Sequence, residues 1–182
     1  MKELNITSTE RISTGFLKVD RVKIALPNNA EISREIIQKP DVVAILAVTA
    51  DGEVFLTEQP RAGRGISDAI EIPAGLIDEG ESPEVAAERE LWEETGCVLS
   101  MPLISLGKFV GDPACCTSTT HLFIALDVRP SGELHFDKDE YLEYFTKPVA
   151  EVYSMIENGE IMDANSIIAL ERARKCLEEF GI

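Results

Sequence analysis

The chain has 182 residues, with 17 Lys or Arg against 33 Asp or Glu, a formal net charge of −16 at pH 7. At roughly 150 residues per domain, this length suits one domain with a small extension. A hydrophobic fraction of 45% with 27% charged residues is ordinary globular composition and excludes disorder and collagen-like repeats.

The acidic balance, with no Lys/Arg-rich stretch, argues against nucleic acid as a partner, because that affinity comes chiefly from cations that displace counterions. An anionic substrate would need a metal ion or a local Arg cluster. The N-terminus lacks the apolar core of a signal peptide, and the longest apolar run, residues 42–48, falls far short of the ~20 residues that span a bilayer. No membrane partner is expected. Cys97, Cys115, Cys116 and Cys176 form no Cys-x-x-Cys pair, and only His121 and His135 could complete a soft-metal site. This argues against structural zinc and points to free thiols in a reducing cytoplasm.

In chain order, residues 11–24 alternate loosely and are followed by Pro27-Asn28-Asn29, a turn signal, and then by residues 31–37; together they predict a hairpin. The continuous apolar run 42–48, the Asp51-Gly52 turn and Val54-Phe55-Leu56 predict a second hairpin with one fully buried strand. Residues 60–69, with Pro60, Gly63 and Gly65, read as loop, and residues 69–72 as a brief strand before Pro73. Ser82-Pro83-Glu84 is a helix start: Ser caps free amides, Pro fits the first helical position and Glu complements the dipole. Gly96 is the matching stop. Strands are expected over 103–110 and 121–128, and helices over 149–158 and 166–180. This order implies a mixed α/β fold with a largely non-parallel sheet.

At about 100° per residue, with Glu90 at zero, Glu93 falls near 300° and Glu94 near 40°, so three carboxylates share one helix face. Arg89 borders them near 260°, and Val85, Leu91, Trp92 and Thr95 between about 100° and 220° form the expected core stripe. Like charges at i and i+4 cost a helix a few tenths of a kcal/mol. A hard divalent cation offsets this best, since Mg²⁺ prefers oxygen ligands.

Gly75, Glu81, Arg89, Glu90, Leu91, Glu93, Glu94, Gly96 and Cys97 stand at the spacing G-x5-E-x7-R-E-U-x-E-E-x-G-U, where U is bulky and apolar. The stretch resembles the Nudix box, departing only at Cys97, which is small. From ordinary residue frequencies, seven fixed positions match by chance less than about once in ten million start sites. The resemblance implies an α/β/α sandwich with a mixed sheet and hydrolysis of a diphosphate linked to another moiety. It makes Glu90 and Glu94 the principal Mg²⁺ ligands, with Mn²⁺ as the alternative ion, the carbonyl of Ala74 a backbone ligand, and Glu93 a further ligand or the base. Arg89 would hold a box carboxylate, and Glu81 is left between stabilisation and direct metal contact.

Outside the box, the chain looks like the ADP-ribose pyrophosphatase branch. Gln59-Pro60-Arg61 matches that branch's Gln-x-Arg, and Glu71-Ile72-Pro73-Ala74-Gly75 its approach to the box. Pro113, 16 residues beyond Cys97, has the spacing associated with ADP-ribose preference, and residues 157–163 before an apolar helix are also similar. Arg61, Glu71 and Pro113 are therefore the candidate substrate-binding residues. The branch implies a homodimer whose N-terminal strands cross to the partner, so residues 1–40 are expected as a β extension and 41–182 as the Nudix domain. One departure concerns the loop after the Pro, where relatives carry a Glu; here residues 113–126 contain no acidic residue, and the position falls near Ser118. The base is then Glu93, or Asp112, His121 or the Asp137–Glu143 segment; Cys115 and Cys116 are read as loop thiols.

The function implied is Mg²⁺-dependent cleavage of ADP-ribose or a related nucleoside diphosphate sugar into a nucleoside monophosphate and a sugar phosphate. The alternatives are another nucleotide sugar, such as GDP-mannose or ADP-glucose, and a non-catalytic Nudix ligand sensor.

Overall fold

The computed structural model describes residues 4–15, 17–131 and 142–182. Its contacts divide the chain into two units, residues 1–41 with 110–119, and residues 42–109 with 120–182.

In the first unit, β1 (Asn5–Thr14), β2 (Lys18–Ala25) and β3 (Glu31–Gln38) form an antiparallel sheet in that order. The expected hairpin thus has a third strand. β1 is exposed along nearly its whole length, so its Thr-Ser-Thr-Glu composition carries no apolar alternation that would mark it as a strand. The β2–β3 turn matches its signal: Asn29 takes a positive φ of 61°, and Ala30 N–H donates to Asn28 Oδ1 at 3.1 Å. The loop Val110–Thr119 is tied to the end of β3. Ile37 N–H donates to the Cys115 carbonyl at 2.7 Å and Thr117 N–H to the Ile37 carbonyl at 3.1 Å.

In the second unit the chain runs β4 (Val42–Val48), β5 (Glu53–Arg61), β6 (Ile66–Glu71), β7 (Ala74–Leu76), α1 (Pro83–Thr95), β8 (Cys97–Val98), β9 (Ile104–Phe109), β10 (Thr120–Leu126), β11 (Arg129–Pro130), β12 (Glu143–Pro148), α2 (Val149–Glu157) and α3 (Ala164–Phe180). The main sheet has the order β12-β5-β4-β10-β9, with β6 on β5 and β7 on β4. β10 is parallel to β4 and the other pairs are antiparallel, so the sheet is mixed.

The alternation of β4 explains its apolar run. Val43, Ile45 and Ala47 pack with Ala86, Ala87 and Leu91 of α1, whereas Ala44, Leu46 and Val48 pack with Val152 of α2 and Leu170 of α3. Helices cover both faces, and a strand buried on both faces has no polar side. This is the three-layer α/β/α arrangement. The segment read as loop is mostly strand: only residues 62–65 turn between β5 and β6, and a register shift between Gln59 and Arg61 accommodates Pro60, which has no amide to donate. No helix among the described residues is long and apolar enough to cross a membrane.

Candidate active site

The sequence signals at both ends of α1 act as expected. The Ser82 hydroxyl accepts from Val85 N–H at 3.3 Å, Pro83 opens the helix, and Gly96, at φ 66°, closes it in the left-handed conformation with its N–H on the Trp92 carbonyl. The buried face differs from the expected one. Ala86, Ala87, Leu91, Glu94 and Thr95 are buried, whereas Val85 is 57% exposed and Trp92 is only half-buried. On the helical wheel that face centres near 60°, turned toward the acidic side. Two alanines let the helix lie close on β4, and the rotation carries Glu94 inward to 5% exposure.

Glu94 is buried with a partner: its Oε2 accepts from Ala74 N–H, the first residue of β7, at 3.0 Å. Arg89 gathers the other carboxylates. Its Nε and Nη2 donate to Glu81 at 3.0 and 2.8 Å, its Nη1 to Glu90 Oε1 at 2.7 Å and Glu93 Oε2 at 2.9 Å, and its Nη2 also to the Leu76 carbonyl at 3.0 Å. The guanidinium holds Glu81 below the usual carboxylate range, against the opposing effect of burial and with help from Asp78 N–H. Gly75 closes the arrangement, since a Cβ there would lie 2.0 Å from the Glu90 carboxylate. Only glycine lets β7 approach α1 this closely.

A second ion pair stands nearby. Arg61, at the end of β5, reaches Glu71, at the end of β6, through Nε at 3.0 and 3.1 Å and through Nη2. Glu71 raises the Arg61 pKa, and the charges of Glu94 and Asp163 add to the effect.

The NUDIX domain family matches residues 38–168. The chain belongs to the Nudix family. It is 33% identical over 172 residues to the ADP-ribose pyrophosphatase of Bacillus subtilis (strain 168), covering 94% of this chain and 92% of that one. It is also 33% identical to the methanol dehydrogenase activator of Bacillus methanolicus, over 90% of this chain and 88% of the relative. A solved structure described as an ADP compounds hydrolase superposes with a TM-score of 0.86 at 26% identity, over 100% of this chain and 97% of that one. Nudix ADP-ribose pyrophosphatases generally use divalent metal ions.

The donors here fit such an ion. Glu81, Glu90 and Glu93, which share one guanidinium, and Glu94 beside them are hard oxygen ligands, four carboxylates against one cation, which leaves a local excess of negative charge. As the side chains stand, Arg89 holds three of these carboxylates and Ala74 the fourth, and among the described residues no three His, Cys, Asp or Glu groups are arranged to hold a metal.

Beside the Nudix box, an open cavity of ≈ 800 Å³ is lined by Arg61, Arg64, Ile66 and Glu71 on one wall and by Met162 and Asp163 on another. Arg61 and Glu71 were legible in the sequence as site residues; Met162 and Asp163 stood out only as part of the 157–163 resemblance and Arg64 not at all, because nearly 100 residues separate the walls. The local signal for Asp163 is its role as N-cap of α3, where its carboxylate accepts from Ser166 N–H; the helix begins at Ala164, ahead of the expected Ser166.

Pro113, Asp112 and Ser118 lie in the loop of the first unit. Pro113 is exposed. Ser118 donates to the Pro40 carbonyl at 2.9 Å, and Asp112 accepts from Ala114 N–H at 3.2 Å and from the Cys115 thiol at 2.8 Å. That bond pushes the Cys115 thiol up, and burial does the same to Cys97, so neither is activated as a nucleophile. His121 sits within β10, paired in register with Val43 and Lys108. Of the acidic segment 137–143, residues 137–141 lie outside the described residues, as does His135.

Proposed function

We propose that the chain hydrolyses the diphosphate of ADP-ribose, or of a closely related nucleoside diphosphate sugar, to a nucleoside monophosphate and a sugar phosphate, with Mg²⁺ as its ion and Mn²⁺ as a substitute. The observation that carries this reading is the Arg89–Glu90–Glu93–Glu94 face of α1 set against Ala74 and Gly75. The ADP-ribose pyrophosphatase relative, which matches nearly end to end, supports the substrate class.

In this reading Glu90, Glu94 and the Ala74 carbonyl hold the ion. When bound, it neutralises the non-bridging phosphate oxygens, acidifies water and stabilises the leaving phosphate. Arg89 fixes Glu90 and Glu93 by charge-assisted hydrogen bonds, so their oxygens are oriented before substrate arrives. Glu93 is the more exposed of the pair, with 37% of its side chain accessible against 13% for Glu90, and it takes the proton from the attacking water at a carboxylate oxygen. The water oxygen bonds to one phosphorus as that phosphorus loses the bridging oxygen, leaving two phosphate monoesters. Arg61, braced by Glu71, binds a diphosphate oxygen, and one arm of the substrate occupies the adjoining cavity. Pro113 contributes to the preference for ADP-ribose.

The direct test is phosphomonoester release with Mg²⁺ from a panel containing ADP-ribose, ADP-glucose and GDP-mannose. ADP-ribose is expected to have the highest kcat/KM. Turnover of GDP-mannose alone would reassign the substrate, and tight binding without any turnover would favour a ligand sensor.

We further propose a homodimer, with residues 1–40 as a β extension that joins the partner and 41–182 as the catalytic domain. Leu4, Ile6 and Leu17, 70%, 53% and 49% exposed on the N-terminal sheet and its turn, support an apolar contact there. Light scattering is expected to give twice the 20.0 kDa chain mass; the monomer mass at micromolar protein would refute the dimer. All four cysteines are free thiols, which supports a cytoplasmic setting.

A further inference from the structure

Between β6 and β7 the chain changes partner strand. Glu71 pairs with Thr57 of β5, and three residues later Ala74 pairs with Ala44 of β4. The two residues that make the crossing, Ile72 and Pro73, have few backbone groups with which to hold it. Pro73 has no N–H, and its carbonyl accepts from Ile45 N–H at 2.9 Å. Ile72 is 1% exposed, so its amide must find a partner inside the protein. That partner comes from far along the chain: the hydroxyl oxygen of Ser166, in the first turn of α3, accepts from Ile72 N–H at 2.9 Å.

Ser166 is itself fully buried. Its hydroxyl donates to Asp163 Oδ2 at 2.9 Å, and the same oxygen accepts from Ser166 N–H at 2.9 Å. The proton of the hydroxyl is thereby directed at Asp163, which leaves a lone pair for Ile72. Capping the helix does not need this hydroxyl, because Asp163 caps through the Ser166 amide. Serine is also a poorer helix former than alanine, and the position belongs to the buried face of α3 with Ala169, Leu170 and Ala173, where alanine would be the ordinary choice. The hydroxyl is therefore accounted for by what it holds, the segment that delivers Ala74 to Glu94.

We infer that Ser166 is a positioning residue for the metal site, acting through the Ile72 amide on Ala74, and that Asp163 sets the direction of its hydroxyl. Because Asp163 also lines the cavity beside Arg61, the relay runs from the wall of the substrate cavity to the backbone that faces Glu94. The catalytic consequence rests on the activity proposed above and the metal-binding one on the ion site proposed with it; the effect on the Ile72 amide rests on neither.

The test compares wild type with Ser166→Ala, Ser166→Thr and Asp163→Ala. It uses three readouts: hydrogen exchange of the Ile72 amide in metal-free protein, Mn²⁺ affinity by electron paramagnetic resonance without substrate, and kcat and KM. In Ser166→Ala the Ile72 amide is expected to lose most of its protection. Mn²⁺ affinity should fall about tenfold and kcat about 10- to 100-fold, the range found when a group that orients a metal ligand is removed, with KM changed by less than about threefold. Ser166→Thr keeps the oxygen and should recover most of each loss. If Ser166→Ala does not fold, Asp163→Ala decides, since it leaves the buried site filled while removing the group that aims the hydroxyl and caps α3. Its Mn²⁺ affinity should fall by about threefold or more. Wild-type Mn²⁺ affinity in whichever of the two variants folds would overturn the inference. A wild-type protein that binds Mn²⁺ but cleaves no diphosphate sugar would instead overturn the proposed function and leave the first two readouts to decide this one.

Discussion

Glu94→Gln is expected to lower kcat/KM by about 100-fold or more, which corresponds to roughly 2.7 kcal/mol of transition-state stabilisation, while leaving the fold intact. The two halves of this expectation come from different atoms. Glutamine has the same shape, and its carbonyl oxygen can still accept from Ala74 N–H, the bond Glu94 makes at 3.0 Å. Exchanging a charged acceptor for a neutral one weakens that bond by about half, on the order of 1 kcal/mol. Removing one of several clustered carboxylates relieves repulsion in the opposite sense. The metal-free melting temperature should therefore move by no more than about 4 °C. The charge is lost completely, and with it the affinity for a divalent ion. Wild type should gain thermal stability as MgCl₂ is added, by the linkage between binding and folding, and the variant should not. Activity within about tenfold of wild type, roughly 1.4 kcal/mol, or an undiminished Mg²⁺ shift, would remove Glu94 from the ligand set.

That Glu94 would be buried was not legible in the sequence, although its chemistry was. The capping residues predicted the helix with its Ser82 start and Gly96 stop, and helical spacing the shared carboxylate face, because caps and 3.6-residue periodicity are local properties. Which face meets the sheet is not local. Val85 and Trp92 look like core residues by hydrophobicity, yet close approach to β4 favours the small side chains Ala86 and Ala87, and the helix turns its acidic edge inward. β4 was easy to read because burial on both faces leaves no polar alternation. β1 was hard to read because exposure on nearly every residue leaves no apolar one. That Asp163, Ser166 and the far wall of the cavity come together with this site was hidden for a third reason. They meet residues 60–74 only through the tertiary fold, and no spacing rule connects segments that distant in sequence. The ion pair of Arg61 with Glu71 lies between these cases: both residues were picked out as substrate-binding, but their bond to each other follows from the register of β5 on β6.

Gly75→Ala is expected to cost about as much activity as loss of a ligand, again about 100-fold or more, for a steric reason that can be separated from any backbone effect. Gly75 is not among the residues with positive φ, so alanine is compatible with its backbone conformation and the substitution adds one methyl group and nothing else. That methyl would sit 2.0 Å from Cδ and Oε1 of Glu90 and 2.3 Å from Oε2, far inside van der Waals contact. Glu90 is the partner able to move, since β7 is held by its pairing with β4 while a carboxylate can rotate about its side-chain bonds. Rotation breaks the 2.7 Å bond to Arg89 and carries the oxygens away from Ala74 and Glu94. The stability cost should stay within the 1–3 kcal/mol typical of overpacking, whereas catalysis loses a positioned carboxylate. A double-mutant cycle with Glu90→Ala isolates the cause. Once the Glu90 carboxylate is gone the added methyl has nothing to displace, so Gly75→Ala should have almost no further effect on activity in that background, and the two substitutions should be strongly non-additive. Additive losses would mean that the methyl acts by disturbing β7 rather than Glu90, and a single Gly75→Ala variant with near wild-type turnover would contradict the close approach of strand and helix on which the site depends.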